Sequence, residues 1–127
     1  MSFCTVINCM DGRVQLPVIR FLQERFKVDY VDVISEPGPI LLLAGRKKPY
    51  LLESIFDRLR ISVELHKSTG IAVVGHHDCA GNPAPREKQI TQLRESIEHV
   101  RQRYGEVEII ALWVDENWEV HEIDFRG

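Results

Sequence analysis

Five side chains in two short stretches have the chemistry of a metal site. Cys9, Asp11 and Arg13 lie in "NCMDGR", residues 8 to 13, and His76 and Cys79 lie in "VVGHHDCAG", residues 73 to 81. Thiolate and imidazole are the tetrahedral ligands that zinc prefers. His76 and Cys79 stand close enough in sequence for one loop to offer both. Cys9 would supply a third ligand from a neighbouring strand end. Three protein ligands leave a fourth position free, as a catalytic zinc requires. Two soft thiolates and one imidazole favour zinc over magnesium or manganese. An H-x-x-C alone says little, but C-x-D-x-R at one strand end with G-H-x-x-C at another is far more specific.

For these stretches to meet, the elements around them must form one sheet. Residues 3 to 8, "FCTVIN", read as a buried strand. Pro17 suits the first turn of a helix over 17 to 27, and Val18, Phe21, Leu22 and Phe26 share one face. "VDYVDVIS", residues 28 to 35, reads as a second strand, and "EPGP", 36 to 39, as a loop. Leu52, Ile55, Phe56, Leu59 and Val63 recur at helical spacing, so a long helix is expected over about 49 to 68. "IAVVG" at 71 to 75 is a third strand, and "GNPAP" at 81 to 85 a loop. The next helix carries Ile90, Leu93, Ile97, Val100 and Tyr104 on one stripe. "VEIIALWVD", 107 to 115, is a fourth strand, and a tight turn at Asp115–Asn117 leads into a last strand, "WEVHEIDF".

This alternation predicts an α/β fold: a mostly parallel sheet with flanking helices and an antiparallel C-terminal edge strand. In such sheets ligands sit at the carboxyl ends of the strands, near a topological switch point. Cys9 follows the first strand and His76 the third, so the two motifs share a crevice if those strands are neighbours.

The 127 residues are expected to form a single α/β zinc-binding domain. Apolar content of 44%, charged content of 28% and a net charge of −3 are those of an ordinary globular protein. No basic stripe points to nucleic acid. No apolar run approaches the ~18 residues of a membrane span. Without a leader of the export type, the cytoplasm is expected, where thiols stay reduced. Cys4 reads as a core thiol. His66, His99 and His121 lack a partner pattern, and Trp113 and Trp118 read as packing around the last turn.

At Cys9-Met10-Asp11-Gly12-Arg13 and His76-His77-Asp78-Cys79 the sequence resembles the β-class carbonic anhydrases, whose motif is C-x-D-x-R followed by H-x-x-C. The order of elements from residue 3 to 124 also matches that family's core, including a final strand after a "W-x-D" turn. The resemblance implies a lyase that reversibly hydrates carbon dioxide by zinc-bound hydroxide. It implies Cys9, His76 and Cys79 as zinc ligands, with His76 preferred over His77. Asp11 and Arg13 would form the catalytic dyad, with Arg13 holding the Asp11 carboxylate beside the metal. It also implies a homodimer acting on carbon dioxide and bicarbonate. Two alternatives accompany it: a zinc protein of this fold without catalysis, and a zinc hydrolase of another small electrophile. Where that family usually carries R-N-A-G, this chain reads Ser35-Glu36-Pro37-Gly38. Glu36 is expected to approach the crevice and to repel bicarbonate.

Overall fold

The computed structural model describes residues 1–125. Strand β1 (Phe3–Cys9) is buried from Cys4 onward, and β3 (Gly70–His76) is buried along its whole length. Both read as near-continuous apolar runs because both of their faces are covered. Strands β2 (Tyr30–Glu36), β4 (Glu108–Val114) and β5 (Val120–Ile123) complete a five-stranded sheet of order β2-β1-β3-β4-β5. The first four are parallel, and β5 runs antiparallel to β4. The α/β architecture with an antiparallel edge is therefore the one expected.

Side chains of the central strands alternate between two apolar layers. Ile7, Ile71 and Val73 pack with Ile40, Leu43, Ile55, Leu59 and Leu93 from helices α2 (Pro39–Gly45), α3 (Pro49–Arg60) and α4 (Arg86–Tyr104). Val6, Ala72 and Val74 pack on the opposite face with Val18 and Leu22 of α1 (Gln15–Phe26). Cys4 is fully buried in that second layer. Burial, then the nearby Asp32 charge, pushes its thiol up to about 11. It is the inert core thiol expected from sequence.

The chain leaves β1 for β2 on one side and returns to β3 on the other. The sheet's switch point thus lies between β1 and β3, at the ends carrying Cys9 and His76.

Several boundaries differ from the sequence reading, each for a local reason. Helix α2 replaces the plain loop and connection expected after residue 36. Pro39 opens it without needing a donor, and Arg46 closes it in the left-handed region (φ 52°). The long helix is α-helical only to Arg60 and runs on as one π turn, Ile61–Leu65, not to residue 68. There Ser62 turns inward, its hydroxyl bonding the Asp32 carboxylate and meeting the Ser68 hydroxyl, each at 2.7 Å. Strand β5 begins at Val120 because Trp118 adopts a left-handed φ of 61° that no strand accommodates.

Candidate metal centre

The strand end carrying Cys9 is braced by two amides. The Asn8 side chain accepts from Cys9 N at 2.9 Å and donates to the Val14 carbonyl at 3.1 Å. Gln15 Nε2 donates to the carbonyls of Cys9 and Asp11, both at 2.8 Å. These bonds fold residues 9 to 14 into a hook that ends in a 3₁₀ turn, Gly12–Val14. The Asp11 carboxylate caps that turn by accepting from Arg13 N at 2.9 Å.

Asp11 and Arg13 form a two-pronged ion pair. Arg13 Nε donates to Asp11 Oδ1 at 3.0 Å and Nη2 donates to Oδ2 at 2.7 Å. The guanidinium holds the carboxyl down at about 2, below the usual carboxylate range. Asp11 is therefore an anion throughout the physiological pH range.

The second strand end is braced from α4. Gln89 is buried, accepts from His76 N at 3.2 Å and donates to the carbonyls of His76 and Ala84 at 2.9 and 3.1 Å. Asn82 Nδ2 donates to Gln92 Oε1 at 2.7 Å. His76 Nδ1 lies 2.7 Å from the carbonyl of His77 and must donate to it. That fixes the proton on Nδ1 and leaves a lone pair on Nε2. Nε2 is buried with no hydrogen-bond partner among the described residues.

Cys9 Sγ and Cys79 Sγ approach to 3.8 Å, and with a ring nitrogen of His76 all three ligand atoms lie within 4.8 Å of one another. All three residues are buried, whereas the adjacent His77 is exposed. The structure thus groups His76, the residue the sequence singled out, with the two thiols and leaves His77 outside the group. The two sulfurs lie within hydrogen-bonding distance, and either thiol could donate. A hydrogen bond from Cys79, with the Cys9–His76 contact and the N–H groups of Gly38 and Asp11, pulls Cys9 well below the ordinary thiol range. The same bond, with burial, pushes Cys79 up. Burial is the largest single influence on His76 and opposes its charge, but the Cys9 contact, the His77 carbonyl and the nearby Asp11 charge together raise it. The site is thus primed with negative charge on sulfur.

An orphaned buried imidazole nitrogen beside two close thiols fits a soft divalent metal such as zinc. Each imidazole held to a carbonyl through its other nitrogen is the usual support for a metal ligand.

The loop after β2 meets the loop after β3 backbone to backbone. A Cβ on Gly81 would sit 2.7 Å from Pro37 C and 2.9 Å from Gly38 N. This contact brings the Gly38 N–H to Cys9. The loop at 35 to 39 does approach the crevice, but through Gly38. The Glu36 carboxylate is paired with Arg58 of α3, so its charge is met by a cation and the expected repulsion of bicarbonate is offset.

Sequence reasoning missed Asn8, Gln15, Gln89 and the Gly38–Gly81 contact. Gln89 carried a signal: it stands four residues before Leu93 and eight before Ile97, a polar side chain on an apolar stripe. The glycines carried none, because the contact joins residues remote in sequence. A second cluster, Asp115, Glu119 and His121, brings its oxygen and nitrogen atoms within 4.8 Å of one another but is half open to solvent. Its Asp115 carboxylate is engaged by Asn117 N, Glu119 N and His121 Nε2, which closes the last turn.

A family model described as "Putative carbonic anhydrase" matches residues 1–124. No curated protein sequence matches significantly. Solved structures with similar folds include a carbonic anhydrase from Glaciozyma antarctica, 16% identical, with a TM-score of 0.55 over 94% of this chain and 81% of that one. The β-carbonic anhydrase CafA of Aspergillus fumigatus is 14% identical, with a TM-score of 0.53 over 97% of this chain and 75% of its own. One of two tetrameric β-carbonic anhydrases from Sordaria macrospora is 13% identical, with a TM-score of 0.52 over 96% and 80%.

Proposed function

The chain belongs to the carbonic anhydrase family whose model spans it, and on that premise we propose that it is a zinc-dependent lyase for the reversible hydration of carbon dioxide. The observation that carries this reading is the unpartnered, buried Nε2 of His76, set with the sulfurs of Cys9 and Cys79. Those three atoms would hold the ion. When bound, zinc supplies a Lewis acid that ionises water near neutral pH.

The remaining work falls to Asp11 and Arg13. Asp11 is held as an anion by Arg13, so it accepts a hydrogen bond and cannot donate one. A water entering the site can give one O–H to Asp11 and direct a lone pair at the carbon of carbon dioxide. Water and carbon dioxide then yield bicarbonate and one proton. Arg13 occupies both carboxylate oxygens and so fixes the direction in which Asp11 accepts.

The reading also includes a cytoplasmic homodimer. The tetrameric state of the Sordaria relatives favours self-association. So does β2, an edge strand on which Tyr30 and Val33 are exposed. No helix among the described residues is long and apolar enough to cross a membrane.

The test is zinc content by elemental analysis together with stopped-flow hydration of carbon dioxide. One zinc per chain and turnover are expected, both lost in Cys79→Ser. Zinc-loaded protein without turnover would leave a metal-binding protein of this fold, and a stoichiometry well below one would remove the metal reading.

A further inference from the structure

To orient Asp11, Arg13 must stay where it is, yet its side chain is 45% exposed. An exposed arginine ordinarily samples many rotamers. Three further contacts restrain this one. Its Nη1 donates to Asp78 Oδ2 at 3.2 Å and its Nη2 to the Asp78 carbonyl at 3.1 Å. Its guanidinium carbon lies 4.3 Å from the centre of the Trp118 ring. Asp11 takes one edge of the guanidinium, Asp78 another, and the indole covers a face.

Asp78 and Trp118 come from loops that are remote in sequence, and both adopt left-handed backbone (φ 57° and 61°). That conformation is uncommon for aspartate and a true outlier for tryptophan. Strain of this kind persists where the surroundings over-determine it, and it gathers at functional sites. The surroundings of Trp118 do so. Trp118 N donates to the Asp115 carbonyl at 3.0 Å, and the Asp115 carboxylate accepts from Asn117 N and Glu119 N at 2.8 and 3.0 Å. The turn between β4 and β5 therefore fixes the indole, which packs on the Val6–Val74 layer and covers the Arg13 guanidinium. Generic hairpin packing, which the sequence alone implied for Trp118, would need no such conformation.

We propose that Trp118 is a positioning residue that, opposite Asp78, clamps the Arg13 guanidinium against the Asp11 carboxylate. The clamp stands on geometry alone. Its effect on turnover rests on the proposed function.

The test is nuclear magnetic resonance of the full ¹⁵N-labelled chain, with the Arg13 Nε–H signal assigned by its loss in Arg13→Lys. In the unaltered protein the Arg13 δ-methylene protons should be shifted upfield by the indole and show cross-relaxation to it. In Trp118→Leu that shift should vanish and Nε–H exchange should quicken about two- to fivefold, the worth of a cation–π contact at a half-exposed site. Trp118→Phe, which keeps an aromatic face, should restore most of the protection. A purely structural role would not distinguish Phe from Leu at Arg13. In zinc-loaded enzyme, kcat and kcat/KM of Trp118→Leu should fall together by the same factor.

Absence of the upfield shift in the unaltered protein overturns the clamp, and this arm needs no folded variant. Equal exchange in the unaltered protein and a folded Trp118→Leu also overturns it, and unchanged kcat in an active enzyme overturns its effect on turnover. An unaltered protein with the shift but no hydration activity supports the clamp and refutes the proposed function.

Discussion

Gly81→Ala offers a demanding test of how the two ligand loops are joined. Its added Cβ would meet Pro37 C at 2.7 Å, Gly38 N at 2.9 Å and Pro37 Cβ at 2.9 Å. Ordinary van der Waals contact begins near 3.4 Å, so the loops must part by about 0.7 Å. The nearest atoms belong to backbone and a proline ring, and no flexible side chain can move aside. Overpacking of this kind costs about 1–3 kcal/mol. Parting the loops also stretches the Gly38 N–H bond to Cys9, worth about 1 kcal/mol more. A loss of about 2–4 kcal/mol is therefore expected from urea unfolding. Gly38→Ala would confuse the issue, because its φ of 58° penalises any side chain. Gly81 has no such φ, so the measured cost is crowding. Gly12→Ala is the control: nothing among the described residues lies within 4 Å of its added Cβ, and its change should stay within about 0.5 kcal/mol. Zinc affinity, read by chelator competition, should fall in Gly81→Ala alone. Equal stability in the two variants would refute the close backbone approach, and with it the account of how Gly38 reaches Cys9.

Three further outcomes are expected. Gln89→Leu strands the buried amide and carbonyl of His76 and the half-buried carbonyl of Ala84, so it should lower the unfolding free energy by about 3 kcal/mol, and an unshifted urea midpoint would show the bonds to be dispensable. Asp11 is depressed to about 2 in the folded state, so its contribution is complete above the unfolded value of 3.8 and disappears as pH falls through about 2. The stability gap between the unaltered chain and Asp11→Asn should accordingly be constant from pH 7 to 5 and close between pH 4 and 2; a gap that persists at pH 2 contradicts the ion pair. Free zinc at a hundredfold excess over its dissociation constant should add about 2.7 kcal/mol to stability, reversed by chelator and absent in Cys9→Ser. A midpoint indifferent to both zinc and chelator would count against a site at these residues.

What the sequence disclosed follows from how local the signals were. β1, β3 and β4 are short apolar runs, so period and composition identified them, and the alternation with helices gave the sheet. The grouping of Cys9, His76 and Cys79 was legible because each sits at or just beyond a strand end, where topology alone decides proximity. α2 escaped notice because it has only seven residues and no capping side chain. α3 was overextended because the apolar stripe continues through Val63 while Ser62 leaves the regular helix to meet Asp32. Arg58 on Glu36, Trp118 on Arg13 and Gly81 on Gly38 join residues far apart in the chain. No periodicity records such contacts, so a charge, an indole and a glycine each looked ordinary.

The strand order also sets a timetable for assembly. Pairing β1 with β2 closes about 27 residues, whereas β1 meets β3 across 66, as in Thr5 opposite Ile71. Closing the longer loop costs about 0.8 kcal/mol more in chain entropy, so the β1–β2 half can form first. Cys9 and Cys79 stand 70 residues apart, and they converge only after β3 has docked. A metal held by all three ligands would bind only once β3 has docked. It would leave the refolding rate nearly untouched and appear almost wholly as slower unfolding. Such a metal would act as a latch on a finished molecule rather than a seed for an unfinished one.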